Sequence, residues 1–101
     1  MIPPISVAIP AFNEAVRIGD TVAVTIAYLE KESPTSEVIV VNDGSTDSSG
    51  DVIRKVSAVP SSVAVRLLEN FPNRGKGAAV RAGLSSATKP IGVFFDADLS
   101  T

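Results

Sequence analysis

The chain has 101 residues, of which 45% are hydrophobic and 20% are charged, a composition typical of one globular domain and not of a disordered segment. Its formal net charge of −2 predicts no general attraction to nucleic acid or to an anionic membrane. It contains no Cys and no His, which excludes disulfides, thiolate chemistry and histidine acid–base catalysis within the chain. We expect no signal peptide at its start and no segment that spans a bilayer, because no long apolar run is present.

Strand-like and helix-like segments alternate along the chain. Short apolar runs predict strands, and apolar residues spaced three or four apart predict helices. In chain order we predict a strand over 5–9, a helix over about 19–31, a strand over 37–41, a helix over about 48–57, a strand over 63–68, a helix over 78 to about 87 and a strand over 91–95. Pro10 is expected to close the first strand.

Three successive β-α-β crossovers predict an α/β fold, with a parallel sheet between two layers of helices. We expect one three-layer, Rossmann-like unit over residues 1–101, with about four strands in the order 3-2-1-4. In such a sheet ligands bind beyond the carboxyl ends of the strands. The polar connections fall at that end, over residues 10–14, 42–47, 70–77 and 96–98. The connections at the opposite end hold a single charge, Lys89.

Two aspartates, Asp96 and Asp98, follow the last apolar strand. An extended backbone returns its side chains to the same side every second residue, so both carboxylates would project together, about 6–7 Å apart. Such a pair suits Mg²⁺ or Mn²⁺, which take one or two protein carboxylates and complete their shell with water and substrate phosphates. An isolated pair of this kind is more often a solvated acidic turn, so the interpretation depends on the other motifs.

Four motifs, over residues 9–14, 41–47, 73–77 and 96–98, resemble in order and approximate spacing those of family 2 glycosyltransferases. These enzymes have the GT-A fold. Within the family the chain looks like the dolichyl-phosphate or polyprenyl-phosphate glucosyl- and mannosyltransferases. The resemblance covers the whole chain but only the first half of the family's catalytic domain. We therefore expect the nucleotide-sugar-binding half of that domain, with the acceptor side and any catalytic base beyond Thr101.

The resemblance implies that the nucleoside lies against the loop after the first strand, which contains Pro10, Ala11, Asn13 and Glu14. Glu14 would contact the ribose, and Asp43 would accept a hydrogen bond from the base. Each has a purely structural interpretation as well. A carboxylate in the first turn of a helix, as Glu14 would be, complements the macrodipole, and Asp43 before a glycine is a turn former.

The resemblance also assigns the diphosphate and the metal. Lys76, between two glycines at the start of a helix, would meet the diphosphate, because helix-entry amides and a cation favour an anion. Asp96 and Asp98 would hold Mg²⁺ or Mn²⁺, with Asp96 also beside the nucleotide. We interpret Asp47 as a helix cap. The implied reaction is the transfer of a sugar, with inversion, to a polyprenyl phosphate at the cytoplasmic face of the membrane. A UDP-sugar (UDP-glucose) is favoured over a GDP-sugar as the donor.

Two other interpretations stay open. Residues 96–100 also approximate the nucleophile motif of haloacid-dehalogenase-type phosphatases, although that motif follows the first strand of its domain and here it follows the fourth. Alternatively, the chain is a nucleotide-binding module without turnover. We predict that this chain alone binds nucleotide without turnover. We also predict that it self-associates, as a homodimer, because a sheet ending at its fourth strand leaves apolar surface and an unpaired edge.

Overall fold

The computed structural model describes residues 3–70 and 72–95. Within them, strands and helices alternate as predicted: β1 (Ile5–Ala11), α1 (Ile18–Glu32), β2 (Glu37–Asp43), α2 (Ser49–Ser57), β3 (Ala64–Asn70), α3 (Lys76–Ser85) and β4 (Ile91–Phe94). No helix in this described part of the chain combines the length and the apolar character that crossing a membrane requires.

The strands form one parallel sheet in the order β3-β2-β1-β4, which confirms the predicted topology. Helices α1 and α2 cover one face, and α3 covers the other. The core divides in the same way, since alternate side chains of a strand point to opposite faces. Val38 and Val40 pack in the cluster beneath α1 and α2, whereas Ile39 and Val41 pack with Ala79 of α3. Every residue of β2 is buried, as expected for a strand covered on both faces.

The first three strands are longer than predicted, because the prediction stopped at the last apolar residue of each run. Parallel pairing is made by the backbone and continues through polar residues. The register pairs Ala11 of β1 with Asn42 of β2, and Asp43 of β2 with Asn70 of β3. These polar residues therefore belong to strands, and they are held at fixed positions at the carboxyl edge of the sheet.

The prediction that Pro10 closes the first strand is wrong, since Pro10 lies inside β1. The registered pairing of β1 with β4 ends at Ala8, which faces Phe94. The Ala8 carbonyl accepts the Phe95 N–H at 3.1 Å. In a parallel ladder, alternate residues face the same neighbour, so Pro10 faces the β4 side beyond this last bond. Pro10 lacks the N–H that the next bond of this ladder would need, so the pairing with β4 ends here, while the pairing with β2 continues.

Helix α3 lies close against the sheet because Gly83 has no side chain. A Cβ atom at Gly83 would lie 2.8 Å from the Cβ of Ala8 and 3.2 Å from a methyl carbon of Val41. The helix begins at Lys76, two residues before the predicted start, and ends at Ser85. The small residues of this helix thus set its distance from β1 and β2.

The amino ends of the strands are joined by one buried carboxylate, that of Glu37, which is 3% exposed. One oxygen accepts hydrogen bonds from Ser6 Oγ at 2.6 Å and from the N–H and Oγ1 of Thr88 at 2.7 and 2.9 Å. The other accepts from Arg66 at 3.1 Å, and Arg66 also donates to the Ser86 carbonyl. Burial acts to raise the pKa of Glu37, but the hydrogen bonds from Ser6 and Thr88 and the charge of Arg66 outweigh it and lower the pKa to about 2.

We predict that the free energy of unfolding decreases as the pH is lowered below 4.5, the ordinary pKa of a glutamate. The pKa of Glu37 is about 2 in the folded chain against a model value of 4.5. The unfolded chain therefore takes up this proton first, and the carboxylate contributes up to about 3 kcal/mol above pH 4.5 that is lost as the pH falls toward 2. Urea denaturation measured by circular dichroism across the acid range checks this. Glu37→Gln should flatten the decline, whereas Asp20→Asn, at an exposed position, should preserve it; an unchanged slope in Glu37→Gln contradicts the prediction.

A matched pair of substitutions in α3 tests the close packing. Gly83→Ala should destabilise the fold by about 1–3 kcal/mol, because the new methyl group overlaps Ala8. Gly77→Ala places its methyl group 4.0 Å from the nearest atom, on Arg81, and should stabilise the helix by about 0.5–1 kcal/mol. Chemical denaturation of both variants measures the difference. Similar effects at the two positions would show that α3 is not held at this distance.

Candidate functional site

Three connections meet at the carboxyl edge of the sheet, where all parallel strands end. We call residues 12–17 the first connection, residues 44–48 the second and residues 71–75 the third; they follow β1, β2 and β3. All of their residues except Phe71 are described. Three of the predicted nucleotide-binding residues, Asn13, Glu14 and Asp43, lie in or beside these connections, and Lys76 follows the third.

Asn13 links the first connection to the second. Its φ of 51° lies in the left-handed region, which asparagine tolerates better than most residues. Its Oδ1 accepts hydrogen bonds from the N–H groups of Thr46 and Asp47 at 2.8 and 3.3 Å. Its own N–H donates to Ser45 Oγ at 3.0 Å. The carbonyl oxygen of the Asn13 side chain therefore holds the second connection in place.

Ser49 and Asp47 form a second link between the same two connections. Ser49 Oγ accepts the Glu14 N–H at 2.9 Å and donates to Asp47 Oδ1 at 2.5 Å. Asp47 Oδ1 also accepts the Ser49 N–H at 2.9 Å, and Oδ2 accepts the Ala15 N–H at 3.3 Å. The N-cap of α2 is Ser48, whose side chain makes no capping bond. Asp47, the residue before it, accepts the N–H of Ser49, the first residue of the helix, and so satisfies one backbone donor of the first turn. The hydrogen bond from the Ser49 side chain lowers the pKa of Asp47.

Glu14 lies in the first connection, before the start of α1 at Ile18. Its carbonyl accepts the N–H groups of Arg17 and Ile18 at 2.9 and 2.8 Å. The carboxylate lies 4.0 Å from the Arg17 guanidinium, and the Glu14 side chain is 29% exposed. A ligand at the edge can therefore reach this carboxylate, and the predicted contact with a ribose stays a prediction.

Asp43 lies beneath the third connection and is only 2% exposed. Its Oδ1 accepts the Arg74 N–H at 3.0 Å, and its Oδ2 accepts the Gly75 N–H at 2.9 Å. The side-chain amide of Asn73 donates to Oδ2 at 3.1 Å and to the Asp43 carbonyl at 2.9 Å, and that of Asn70 lies 3.4 Å from Oδ1. Both carboxylate oxygens thus bind groups of β3 and the third connection.

Gly44 brings the second and third connections into backbone contact. Its φ is 69°, and a Cβ atom there would lie 2.4 Å from the backbone nitrogen of Asn73 and 2.8 Å from its Cα. Only glycine fits both the conformation and the space.

The amino end of α3 carries positive charge to the same edge. Arg74 and Lys76 are both exposed, and the first turn of α3 contains no acidic side chain. The first N–H groups of a helix have no intrahelical acceptor and carry the positive end of its dipole. The positive side chains of Arg74 and Lys76, together with these N–H groups, suit an anion such as a phosphate.

Four further residues were predicted for the site, namely Pro10, Ala11, Asp96 and Asp98. Pro10 and Ala11 lie within β1 and are buried, and Ala11 packs in the core, so the structure leaves them only backbone contacts with a ligand. Asp96 and Asp98 lie outside the described residues. Among residues 3–70 and 72–95, no group of three or more Asp, Glu, His or Cys side chains is arranged to hold a metal ion.

Sequence reasoning missed the side chains that join the connections, namely Ser45, Ser49 and Asn73. Serine and asparagine in turns often bond to backbone groups, so their types carried a signal. Their partners lie about thirty residues away in the chain, and a local pattern does not identify them. The exposed aromatic ring of Phe12, 47% exposed in the first connection, was also missed.

Comparisons with known proteins find similar sequences over most of this chain. The model of the family "Glycosyl transferase family 2" matches residues 6–101. The chain is 42% identical over 102 residues to the dolichyl-phosphate beta-glucosyltransferase of Drosophila melanogaster, covering 96% of this chain and 31% of that protein. It is 35% identical over 95 residues to an undecaprenyl-phosphate 4-deoxy-4-formamido-L-arabinose transferase of Sodalis glossinidius, covering 94% and 29%. The chain thus spans about a third of the length of these relatives.

Two solved structures share the fold. One is a mannosyltransferase from Pyrobaculum calidifontis in complex with GDP-Man and Mn²⁺, with a TM-score of 0.82 and 32% identity, over 93% of this chain and 27% of that one. The other is glucosyl-3-phosphoglycerate synthase from Mycobacterium tuberculosis in complex with Mn²⁺, UDP and glucosyl-3-phosphoglycerate, with a TM-score of 0.70 and 28% identity, over 93% and 33%. The four-stranded sheet and its helices therefore match GT-A glycosyltransferase structures.

The contact between the second and third connections can be tested with two glycines of positive φ. Gly44→Ala should destabilise the fold by more than about 2 kcal/mol, because the left-handed conformation costs about 1–2 kcal/mol and the methyl group also meets the backbone of Asn73. Gly75→Ala, with a φ of 94° and nothing within 4 Å, carries the conformational cost alone. Denaturation curves compare the two. A loss at Gly44→Ala no larger than about 1–2 kcal/mol, the cost of the left-handed conformation itself, would contradict the backbone contact.

Proposed function

The chain belongs to glycosyl transferase family 2, and on that premise we propose that it is the donor-binding part of a glycosyltransferase, which holds the nucleoside diphosphate of a sugar donor at the carboxyl edge of its sheet. The observation that carries the proposal is the joining of three connections by hydrogen bonds beside the amino end of α3 and Lys76. The family membership favours this function over the haloacid-dehalogenase interpretation of residues 96–100.

Each described residue at the edge has a proposed part. Lys76 and the first turn of α3 bind the diphosphate, and the carboxylate of Glu14 hydrogen-bonds the ribose. Asn13 and Asp47 keep the first and second connections in register with each other. Structural relatives with GDP-Man and Mn²⁺, or with UDP and Mn²⁺, at 32% and 28% identity, support a nucleotide at this edge.

We assign Asp96 and Asp98 as the residues that hold Mg²⁺ or Mn²⁺. Two carboxylates of one chain fit the oxygen-only donor set of these ions. Phe95, the residue before Asp96, donates its N–H to the carbonyl of Ala8 in β1 at 3.1 Å. When bound, such an ion neutralises the charge that develops on the leaving nucleoside diphosphate.

The donor and acceptor are proposed for the longer protein of which this chain would be part. We propose UDP-glucose, or a similar UDP-sugar, as donor and a polyprenyl phosphate at the cytoplasmic membrane face as acceptor, with inversion at the anomeric carbon. The names of the dolichyl-phosphate and undecaprenyl-phosphate relatives support the lipid acceptor. A lipid phosphate is ionised at neutral pH, so its attack needs little help from a base, which suits a chain without His.

By itself the chain is proposed to bind nucleotide without turnover and to associate as a homodimer. An apolar groove on the face covered by α1 supports the association; it is lined by Ile5, Val7, Val24, Tyr28, Leu29 and Phe95. On the same face Ile91 of the edge strand β4 is 45% exposed, and on the face of α3 Phe94 of that strand is 51% exposed. Unpaired edges and apolar patches of this kind favour association.

Calorimetry with UDP in the presence and absence of Mn²⁺ tests the donor site. We expect wild-type affinity to rise with Mn²⁺ and Asp98→Asn to remove most of that rise, because one metal-binding carboxylate is lost. In the control Asp51→Asn, at an exposed position of α2, the affinity for UDP should rise with Mn²⁺ as it does in the wild type. Equal affinity for the wild type and Asp98→Asn, with and without the ion, would overturn the metal assignment, and no binding at all would overturn the donor site.

A further inference from the structure

The carboxylate of Asp43 is buried although it lies at the edge where ligands are expected. It is 2% exposed, and each oxygen accepts one backbone N–H of the third connection: that of Arg74 at 3.0 Å and that of Gly75 at 2.9 Å. The Asn73 side chain adds a bond at 3.1 Å. Bonds from N–H groups to a carboxylate are stronger than those to a neutral oxygen. Asp43 therefore holds the third connection by three such bonds.

These bonds fix where α3 begins. Gly75, the residue that Asp43 binds, has a φ of 94°, and the helix starts at the next residue, Lys76. The Gly75 carbonyl in turn accepts the N–H of Ala79 at 3.0 Å, the first bond of the helix. The position of the Lys76 side chain and of the first helical N–H groups thus follows from a carboxylate on β2.

We propose that Asp43 is a positioning residue, which acts on the donor diphosphate through the third connection by setting the place of Lys76 and of the amino end of α3. The inference rests on the proposed function and deepens it. It differs from the contact with the base that the family resemblance implies, because Asp43 is buried and each carboxylate oxygen already has one backbone N–H and one side-chain amide as partners. A positioning role predicts that Asp43 matters equally for every ligand with a diphosphate.

Asp43→Asn is the sharpest variant, because it keeps the shape of the side chain and turns one accepting oxygen into a donating NH₂ group. That group then faces the N–H of Arg74 or Gly75, so one bond becomes a repulsive contact. We expect the affinities for UDP, GDP and inorganic pyrophosphate, each with Mn²⁺, to fall by the same factor, about tenfold or more. Asp51→Asn, the same change at an exposed position of α2, should leave the affinities for all three ligands unchanged.

A double-mutant cycle separates positioning from a general loss of stability. Lys76→Ala should weaken diphosphate binding in the wild type and have little further effect in the Asp43→Asn background, because Lys76 is already displaced. If the Lys76→Ala loss is the same in both backgrounds, Asp43 does not act through Lys76. If Asp43→Asn weakens UDP or GDP but not pyrophosphate, Asp43 contacts the base. Either result overturns the proposal.

Amide hydrogen exchange, followed by NMR without any ligand, tests the link itself. In Asp43→Asn we expect faster exchange at Arg74 and Gly75, whereas Ala79, bonded within α3, stays protected. If Asp43→Asn does not fold, Asn73→Ala takes its place, because it removes one hydrogen bond to the carboxylate and leaves the carboxylate intact. Exchange at Arg74 and Gly75 should then also become faster, but by less. Unchanged exchange at Arg74 and Gly75 overturns the proposal. Absence of nucleotide binding by the wild type would instead overturn the proposed function, so the two failures are distinguishable.

Discussion

Backbone N–H groups in the connections of a parallel sheet lie beyond the ladder and need other acceptors. In this chain the side chains of a neighbouring connection or strand end accept them. Asn13 accepts two such groups from the second connection, and Asp43 accepts two from the third. Because β1, β2 and β3 are adjacent in the sheet, each bond crosses to the next strand. The carboxyl edge is therefore one hydrogen-bonded unit, and a change in one connection reaches the others.

The amino edge of the sheet is joined in a different way. There the single carboxylate of Glu37 binds groups from β1, from β3 and from the loop before β4. A buried charge is costly unless it is fully paired, and this one is satisfied by a cation and three hydrogen bonds. The charge at this end is used for stability and is hidden from solvent. At the carboxyl edge, Lys76 keeps a solvent-accessible positive charge, which suits an anionic ligand, and the carboxylate of Glu14 is partly exposed.

The surface beside β4 differs from both edges. On the face of α1 and α2, Ile91 of β4 stays exposed, and on the face of α3 Phe94 is exposed as well. In the Drosophila relative the matched region is 31% of the protein. The described unit thus has a complete core around β2 and an uncovered apolar margin at β4, and these two regions should differ in stability because burial of apolar area is the main source of stability.

The sequence by itself determined the alternation of strands and helices, the strand order and the positions of the four family motifs. Hydrophobic periodicity is a local property, and the general rule of right-handed crossovers restricts the topology to a few choices, among them the common order 3-2-1-4 that the sheet has. Tertiary structure alone decided how Asp43, Asn13 and Glu37 are used. As a turn former, Asp43 would face solvent, and its burial depends on Arg74 and Gly75, thirty-one and thirty-two residues away in the chain. Glu37 is buried because its partners, of which Thr88 is fifty-one residues away, come from three other parts of the chain. No local pattern contains those distances, since they arise only when the sheet aligns its strands.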